Sequence, residues 1–414
     1  MADETGDTAP RQPWTGRQKM LVGLVASTVV LDGADNQLLG ITIPALMGEW
    51  AVSRGAFAPV LASGLIGMLI GGAAAGLIGD RLGRKRALLG SVVMFGVLTL
   101  AAAAADGPIA LAVLRFLAGL GLGGAMPNAA ALAAEFVPQN RRALAVTLTI
   151  VCVPVGGILA AALSEPLLPY LGWRGLFALG GVMPLVLAGV LTVVLPESPV
   201  FIEAQARPVV ERASIGALFA PALSRDTLGL WMAFFANLLA VYCCFNWLPA
   251  MLAGAGFGAT AGRGLLAFNL GGVAGAFVGA AFVTRYGSKP TLLSLAASAV
   301  AVALVMAAMP ITASAPVAAI GMLALLGCLL NTVQIAMYSL AVHVYPTSVR
   351  ATGIGWALAF GRSGGVFSSY TGEWALAAGG STAFFGVIAA AMAAVYGALA
   401  MMRRHIPRSS APRN

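Results

Sequence analysis

This chain is a succession of apolar stretches, each long enough to cross a lipid bilayer, and that restricts both the solvent it can fold in and the secondary structure it can use. A spanning helix takes about 20 residues, and only helices or closed barrels satisfy every backbone polar group in hydrocarbon. The stretches here are continuous rather than alternating, so helices are expected. We place spans at 20–43, 57–78, 87–105, 108–134, 143–166, 173–195, 227–250, 261–284, 289–309, 315–343, 351–375 and 380–402, twelve in all. Turn signals separate them at Asp106-Gly107-Pro108, Gly172, Gly254 to Gly258, Gly287-Ser288-Lys289-Pro290 and Gly379-Gly380. With 59% apolar and only 9% charged residues the chain lacks the polar surface of a soluble fold, which carries about 25% charged residues.

The least apolar connection divides the spans into two sets of six. The expected organisation is a polar tail (1–19), a first bundle (20–195), a linker (196–226), a second bundle (227–402) and a polar tail (403–414). With both termini inside, nineteen of the 24 Lys and Arg residues lie on cytoplasmic segments; Arg54, Arg174 and Arg263 fall outside, and Arg115 and Arg362 fall within spans. Positive charge held inside sets this orientation, and it accounts for the net charge of +9 without nucleic acid. The polar first 18 residues lack the pattern of a signal peptide, so the first span is expected to direct insertion. Cys152, Cys243, Cys244 and Cys328 fall at membrane depth without metal-ligand spacing and read as packing residues. His343 and His405 do not form a metal site, and neither a catalytic constellation nor a pore-lining ring of charge is visible, which argues against an enzyme or a channel.

Two acids stand in the first span, in Leu31-Asp32-Gly33-Ala34-Asp35-Asn36-Gln37. A charge at the bilayer centre costs about 2.5–3.5 kcal/mol on insertion scales, so such residues imply a function and a position facing away from lipid. Three residues apart, they share one helical face. Desolvation and a like-charged neighbour favour a neutral carboxyl, which makes the pair the proton-coupling candidate. The plainer reading is that one of them is the ion-pair partner of an intramembrane Arg. Arg362, among glycines and small residues, can clamp a carboxylate through two parallel hydrogen bonds and is the first choice for an anionic substrate group. Arg115 competes for that role, but an internal ion pair or snorkelling to the interface is the favoured reading.

The halves repeat one another. Gly79-Asp80-Arg81-Leu82-Gly83-Arg84-Lys85 returns as Val283-Thr284-Arg285-Tyr286-Gly287-Ser288-Lys289 at an offset of 204, and Pro138, Arg142, Gly156 and Gly157 return as Pro346, Arg350, Gly364 and Gly365 at an offset of 208. Parallel six-helix repeats with a site at their interface are a transporter architecture.

Gly76 to Arg86 resembles the loop signature of the major facilitator superfamily, and Pro196-Glu197-Ser198-Pro199 resembles a further mark of several of its branches. Asp32-Gly33-Ala34-Asp35 resembles the first-helix motif of the aromatic acid:proton symporters, and Pro127-Asn128-Ala129 with Glu135, Trp247-Leu248-Pro249, and Tyr345-Pro346-Thr347 to Arg350 running on to Gly361 and Arg362 resemble other stretches of that family. The resemblance implies an all-α integral membrane fold of two pseudo-symmetric six-helix bundles. It also implies proton-driven import of a small aromatic carboxylic acid by alternating access, with a proton-driven exporter of drugs or metabolites as the alternative. Gly79, Asp80, Arg81, Gly83, Arg84, Glu135, Arg142 and Arg350 are expected to form a cytoplasmic gate, with Glu135 reaching Arg141 or Arg142; Thr284 stands where relatives carry an acid. Tyr242, Asn246 and Tyr338 are expected at the substrate with Arg362, and Trp247 in the outer aromatic belt. The expected partners are a small aromatic carboxylate, protons and the bilayer, with no cofactor, metal or nucleic acid. The chain is expected to act as a monomer in a bacterial-type inner membrane, both termini cytoplasmic.

Overall fold

A computed structural model describes residues 14–198, 201, 214–313, 316–346 and 349–408, apart from a few side chains, that of Asp80 among them. The linker charges Glu203, Arg207, Glu211 and Arg212 lie outside the described residues.

Helices α1 (Gly16–Trp50), α2 (Ala58–Leu82), α3 (Arg84–Ala102) and α4 (Pro108–Glu135) are followed by one helical run, Arg142–Val194. Gly172, at φ 63°, breaks that run into α5 (142–171) and α6 (173–194). The second half holds α7 (Ser224–Leu252), α8 (Gly262–Tyr286), α9 (Ser288–Ala308), α10 (Pro316–Val344) and the run Arg350–Met401. Gly379 and Gly380 divide this last run into α11 (350–378) and α12 (381–401). The twelve rods coincide with the twelve expected spans, and α1 extends well past its span at both ends. Thr15 starts α1 as a capping box, its hydroxyl accepting from the Gln18 amide at 3.2 Å while its own amide donates to the Gln18 side chain at 3.0 Å.

The repeat read in the sequence is a repeat of contacts. Between α1 and α5, a Cβ on Gly156 would run into the Val30 carbonyl oxygen; between α7 and α11, one on Gly364 would run into that of Phe235. Gly119 against Gly64 (α4 on α2) is matched in the same way by Gly327 against Phe268 (α10 on α8). At these crossings backbone lies on backbone, which only a missing side chain permits and which membrane helices use to associate. The loop glycines match as well: Gly83 at φ 100° turns α2 into α3, and Gly287 at φ 84° turns α8 into α9.

The halves meet along α2 with α11, α5 with α8 and α1 with α7. Large apolar side chains on many outward faces, such as Val193, Phe277, Val317 and Trp374, are exposed, as lipid-facing surfaces require. Trp247 does not belong to them. It is fully buried, its Nε1 donating to the Ser369 carbonyl at 3.1 Å, so it packs α7 on α11 instead of joining an aromatic belt.

Candidate functional site

The two acids of α1 have different surroundings. Asp35, 2% exposed, accepts from Arg115 Nη2 at 3.1 Å on each carboxylate oxygen and from the Thr99 hydroxyl at 2.7 Å. Arg115, 5% exposed, also donates to Thr99 Oγ1 at 2.8 Å, and its guanidinium stands 5.4 Å from the centre of the Phe177 ring. The pair lies within the first half, binding α1 to α3 and α4. Of the two readings left open for Arg115, the internal ion pair is the one found. Asp32, one turn away and 3% exposed, has an oxygen, Oδ1, without a hydrogen-bond partner.

Asp32 faces a cavity of about 390 Å³ between the halves. Its walls are mainly apolar, with Asp32, Asn36, Tyr242, Asn331, Gln334, Tyr338 and Arg362 as the polar groups. The cavity runs from mid-depth at Asp32 and Phe245 toward Ala130, Val146, Val342 and Ile354. Those residues lie within about a turn and a half of the helix ends at Glu135, Arg142, Val344 and Arg350, the end rich in basic residues. Arg362 reaches out of α11 and donates to the Met68 carbonyl of α2 at 3.1 Å, across the interface of the halves. A Cβ on Gly72 would occupy the place of its guanidinium. The Asn36 amide approaches the Tyr242 hydroxyl at 3.4 Å, and Arg362 lies within electrostatic range of the hydroxyls of both Tyr242 and Tyr338. Tyr242 stands edge-on to Phe245, with ring centres 5.8 Å apart, giving the cavity the flat apolar faces an aromatic ring can lie against.

Asn246 does not line this cavity. It is 2% exposed and borders a small void beside Asp35 and Arg115. It stands one helical turn, about 6 Å along α7, from Tyr242 on nearly the same face, so depth rather than direction takes it out of the cavity.

At the basic end, Glu135 pairs with Arg84 Nε at 3.0 Å and accepts the Ser198 hydroxyl, so its partner is neither Arg141 nor Arg142. Glu197 accepts from the Lys85 amide at 2.9 Å and lies against Gly83, where a Cβ would meet it. The motif after α6 is thereby tied to the loop between α2 and α3. Gly79 lies against the Asn128 side chain, Arg81 and Arg142 are exposed, and Arg350 Nε donates to the Tyr345 carbonyl at 3.1 Å. The expected gate residues therefore do not form one cluster: Gly83, Arg84 and Glu135 come together, Arg142 and Arg350 stand apart, and the Asp80 side chain lies outside the described residues.

The opposite end is closed by contacts between the halves that the sequence did not single out. Gln37 of α1 and Asn269 of α8 exchange two amide hydrogen bonds, at 3.2 and 2.8 Å, both residues fully buried. Nearer the surface, Arg263 donates to both carboxylate oxygens of Glu165, the closest contact being 2.6 Å. In the first half, the hydrogen bonds of Arg174 and then Trp173 hold the Glu49 carboxyl, at the end of α1, below the usual carboxylate range. An exposed pair such as Glu165–Arg263 is screened by solvent and holds its end only weakly. Glu165→Arg should shift the population of the state closed at this end by up to about fivefold, and the swap Glu165→Arg with Arg263→Glu should restore it. Spin-label distances across that end, between α5 and α8, measure the shift; an unchanged distribution in the single variant removes the latch role.

The described residues hold no group of His, Cys, Asp and Glu suited to a metal ion. The sequence pattern of the Major Facilitator Superfamily matches residues 25–369. The chain is 34% identical to a gallate transporter of Pseudomonas putida over 403 residues, 90% of this chain and 89% of the relative. It is 35% identical to the 4-hydroxybenzoate transporter PcaK of the same organism over 402 residues, 89% of this chain and 88% of the relative. Among solved structures, a partially occluded inward open conformation of the xylose transporter XylE from E. coli superposes with a TM-score of 0.73 at 18% identity, covering 92% of this chain and 97% of that one. Two six-helix halves related by matching glycine contacts, a cavity between them and a sequence match over most of the length lead to one conclusion: the chain belongs to the Major Facilitator Superfamily.

Proposed function

We propose that this protein imports a small aromatic carboxylic acid together with a proton, by alternating access, across a bacterial inner membrane in which both termini are cytoplasmic. The carrying observation is that a cation and an acid line one cavity: Arg362 and Asp32 both belong to its wall, and Asp32 Oδ1 has no hydrogen-bond partner among the described residues. Asp35 is already neutralised by Arg115, so Asp32 is the acid free to take up and release the coupled proton. Relatives named for gallate and 4-hydroxybenzoate support the substrate class, and the aromatic walls around Tyr242 suit a flat ring.

With the basic end cytoplasmic, the cavity lies on the inner side and the Gln37–Asn269 and Glu165–Arg263 contacts close the outer side. The structure then corresponds to the state that releases cargo inward. Gly83, Arg84, Glu135 and Glu197 gather at the basic end of the first half, and closing the inner side brings that end toward the second half, where Arg350 stands apart from them. One carboxylate moving with one proton transfers no net charge, so the pH gradient drives uptake.

The test is uptake of labelled 4-hydroxybenzoate, gallate and benzoate into vesicles holding the purified protein, with an inside-alkaline gradient. Accumulation that collapses when the gradient is dissipated is the expected result, whereas proton-driven movement in the opposite direction identifies an exporter and overturns this reading.

A further inference from the structure

One cavity group has no use in the scheme above. Gln334 of α10 is 8% exposed, and its carbonyl oxygen accepts from Asn237 Nδ2 of α7 at 2.7 Å, an interaction buried on both sides. That bond orients the amide and leaves Nε2 as a buried donor without a well-formed hydrogen bond, its polar neighbour being the Tyr338 hydroxyl of the same helix. Three residues earlier on the same helical face, Asn331 uses its own Nδ2 on the Gly327 carbonyl at 3.0 Å, which leaves its carbonyl oxygen as an acceptor at the cavity wall. A buried donor without a partner is penalised until a ligand supplies one, so such a group favours cargo carrying the complementary atom.

We propose that Gln334 and Asn331, with Asn237 as the positioning residue behind Gln334, read a ring hydroxyl on the transported aromatic carboxylate. A phenolic hydroxyl both accepts and donates, so it can take the Gln334 amide hydrogen while giving its own to Asn331. A carboxylate offers only acceptors and is drawn to Arg362, which separates the two ends of the cargo. An unsubstituted ring leaves the Gln334 donor with only the poorly aligned Tyr338 hydroxyl, and sites built to hydrogen-bond a hydroxyl discriminate strongly against analogues lacking it. Selection for hydroxylated over bare aromatic acids therefore lies on α10. The inference rests on the substrate reading proposed above.

Affinities of the wild-type protein for benzoate and for 2-, 3- and 4-hydroxybenzoate, with the matching kcat/KM of uptake, provide the test. At least one hydroxylated isomer should exceed benzoate by tenfold or more. Gln334→Met, close in volume but without the donor, should cut that ratio to within a few-fold, mainly through KM, and Asn237→Leu should move it the same way. A wild-type preference below threefold, or a preference that survives Gln334→Met, overturns the assignment while leaving aromatic acid transport intact. Should no aromatic acid bind at all, the substrate reading falls and this one with it. If Gln334→Met does not fold, the wild-type comparison with 4-methoxybenzoate decides: its oxygen accepts but cannot donate, so it should fall between benzoate and the hydroxylated acid, and a rank outside that interval overturns the two-atom reading.

Discussion

In vesicles with a one-unit inside-alkaline gradient, Asp32→Asn should reduce accumulation from about tenfold to equality of inside and outside concentrations. One pH unit per proton is worth about 1.4 kcal/mol, a factor of ten, and coupling is lost when the carrier cannot release its proton. Asn keeps the shape of the side chain and mimics the protonated acid, so the cycle itself should persist: labelled acid should still exchange across the membrane. The expectation follows from Asp32 lining the cavity with its Oδ1 unpartnered among the described residues, and from the already balanced charge of Asp35. Tenfold accumulation by the variant would transfer coupling to another group.

The second large effect is on stability. Arg115→Met removes the only charged partner found for Asp35 among the described residues and leaves a carboxylate 2% exposed. Breaking a buried pair from one side costs about 3–5 kcal/mol, a large fraction of the 5–15 kcal/mol that holds a typical fold together. The variant should therefore give little monodisperse protein, and what is recovered should melt far below the parent. Adding Asp35→Leu should recover most of the loss, because a buried pair replaced by apolar groups of similar size is often tolerated. Thermal melting in detergent separates the cases: if the double variant melts as low as the single one, Arg115 has a role beyond balancing Asp35.

The amino-acid sequence carries the architecture of this protein more plainly than its contacts. Span lengths, the basic residues that bound them and the offsets of 204 and 208 lead directly to twelve rods in two matching halves. Rotation of each rod about its axis is another matter. A helix apolar on all sides has no polar face to mark its orientation, so nothing in the sequence distinguishes a Trp247 at the lipid interface from the buried one observed, and the depth of Asn246, one turn from Tyr242, is unmarked as well. Long-range partners were equally hidden. Thr99 and Arg115 stand 64 and 80 residues from Asp35, and nothing local to any of them names the others. A threonine in an apolar run has the default of bonding its own helix, so Thr99 gave no signal. Glu135 had adjacent arginines in sequence but found Arg84, because the chain turns away after α4 while the loop at Gly83 lies beside it.

The matched glycines have a consequence for remodelling. The contacts of Gly156 and Gly364, and of Gly119 and Gly327, are made by backbone and are indifferent to the side chains that face the central space. Scaffold and chemistry are thereby separable: Asp32 and Asn36 sit on the first half and Arg362, Asn331 and Gln334 on the second, over a frame that does not depend on them. A lineage, or an engineer, can exchange the cargo by editing a handful of inward positions without renegotiating how the rods cross.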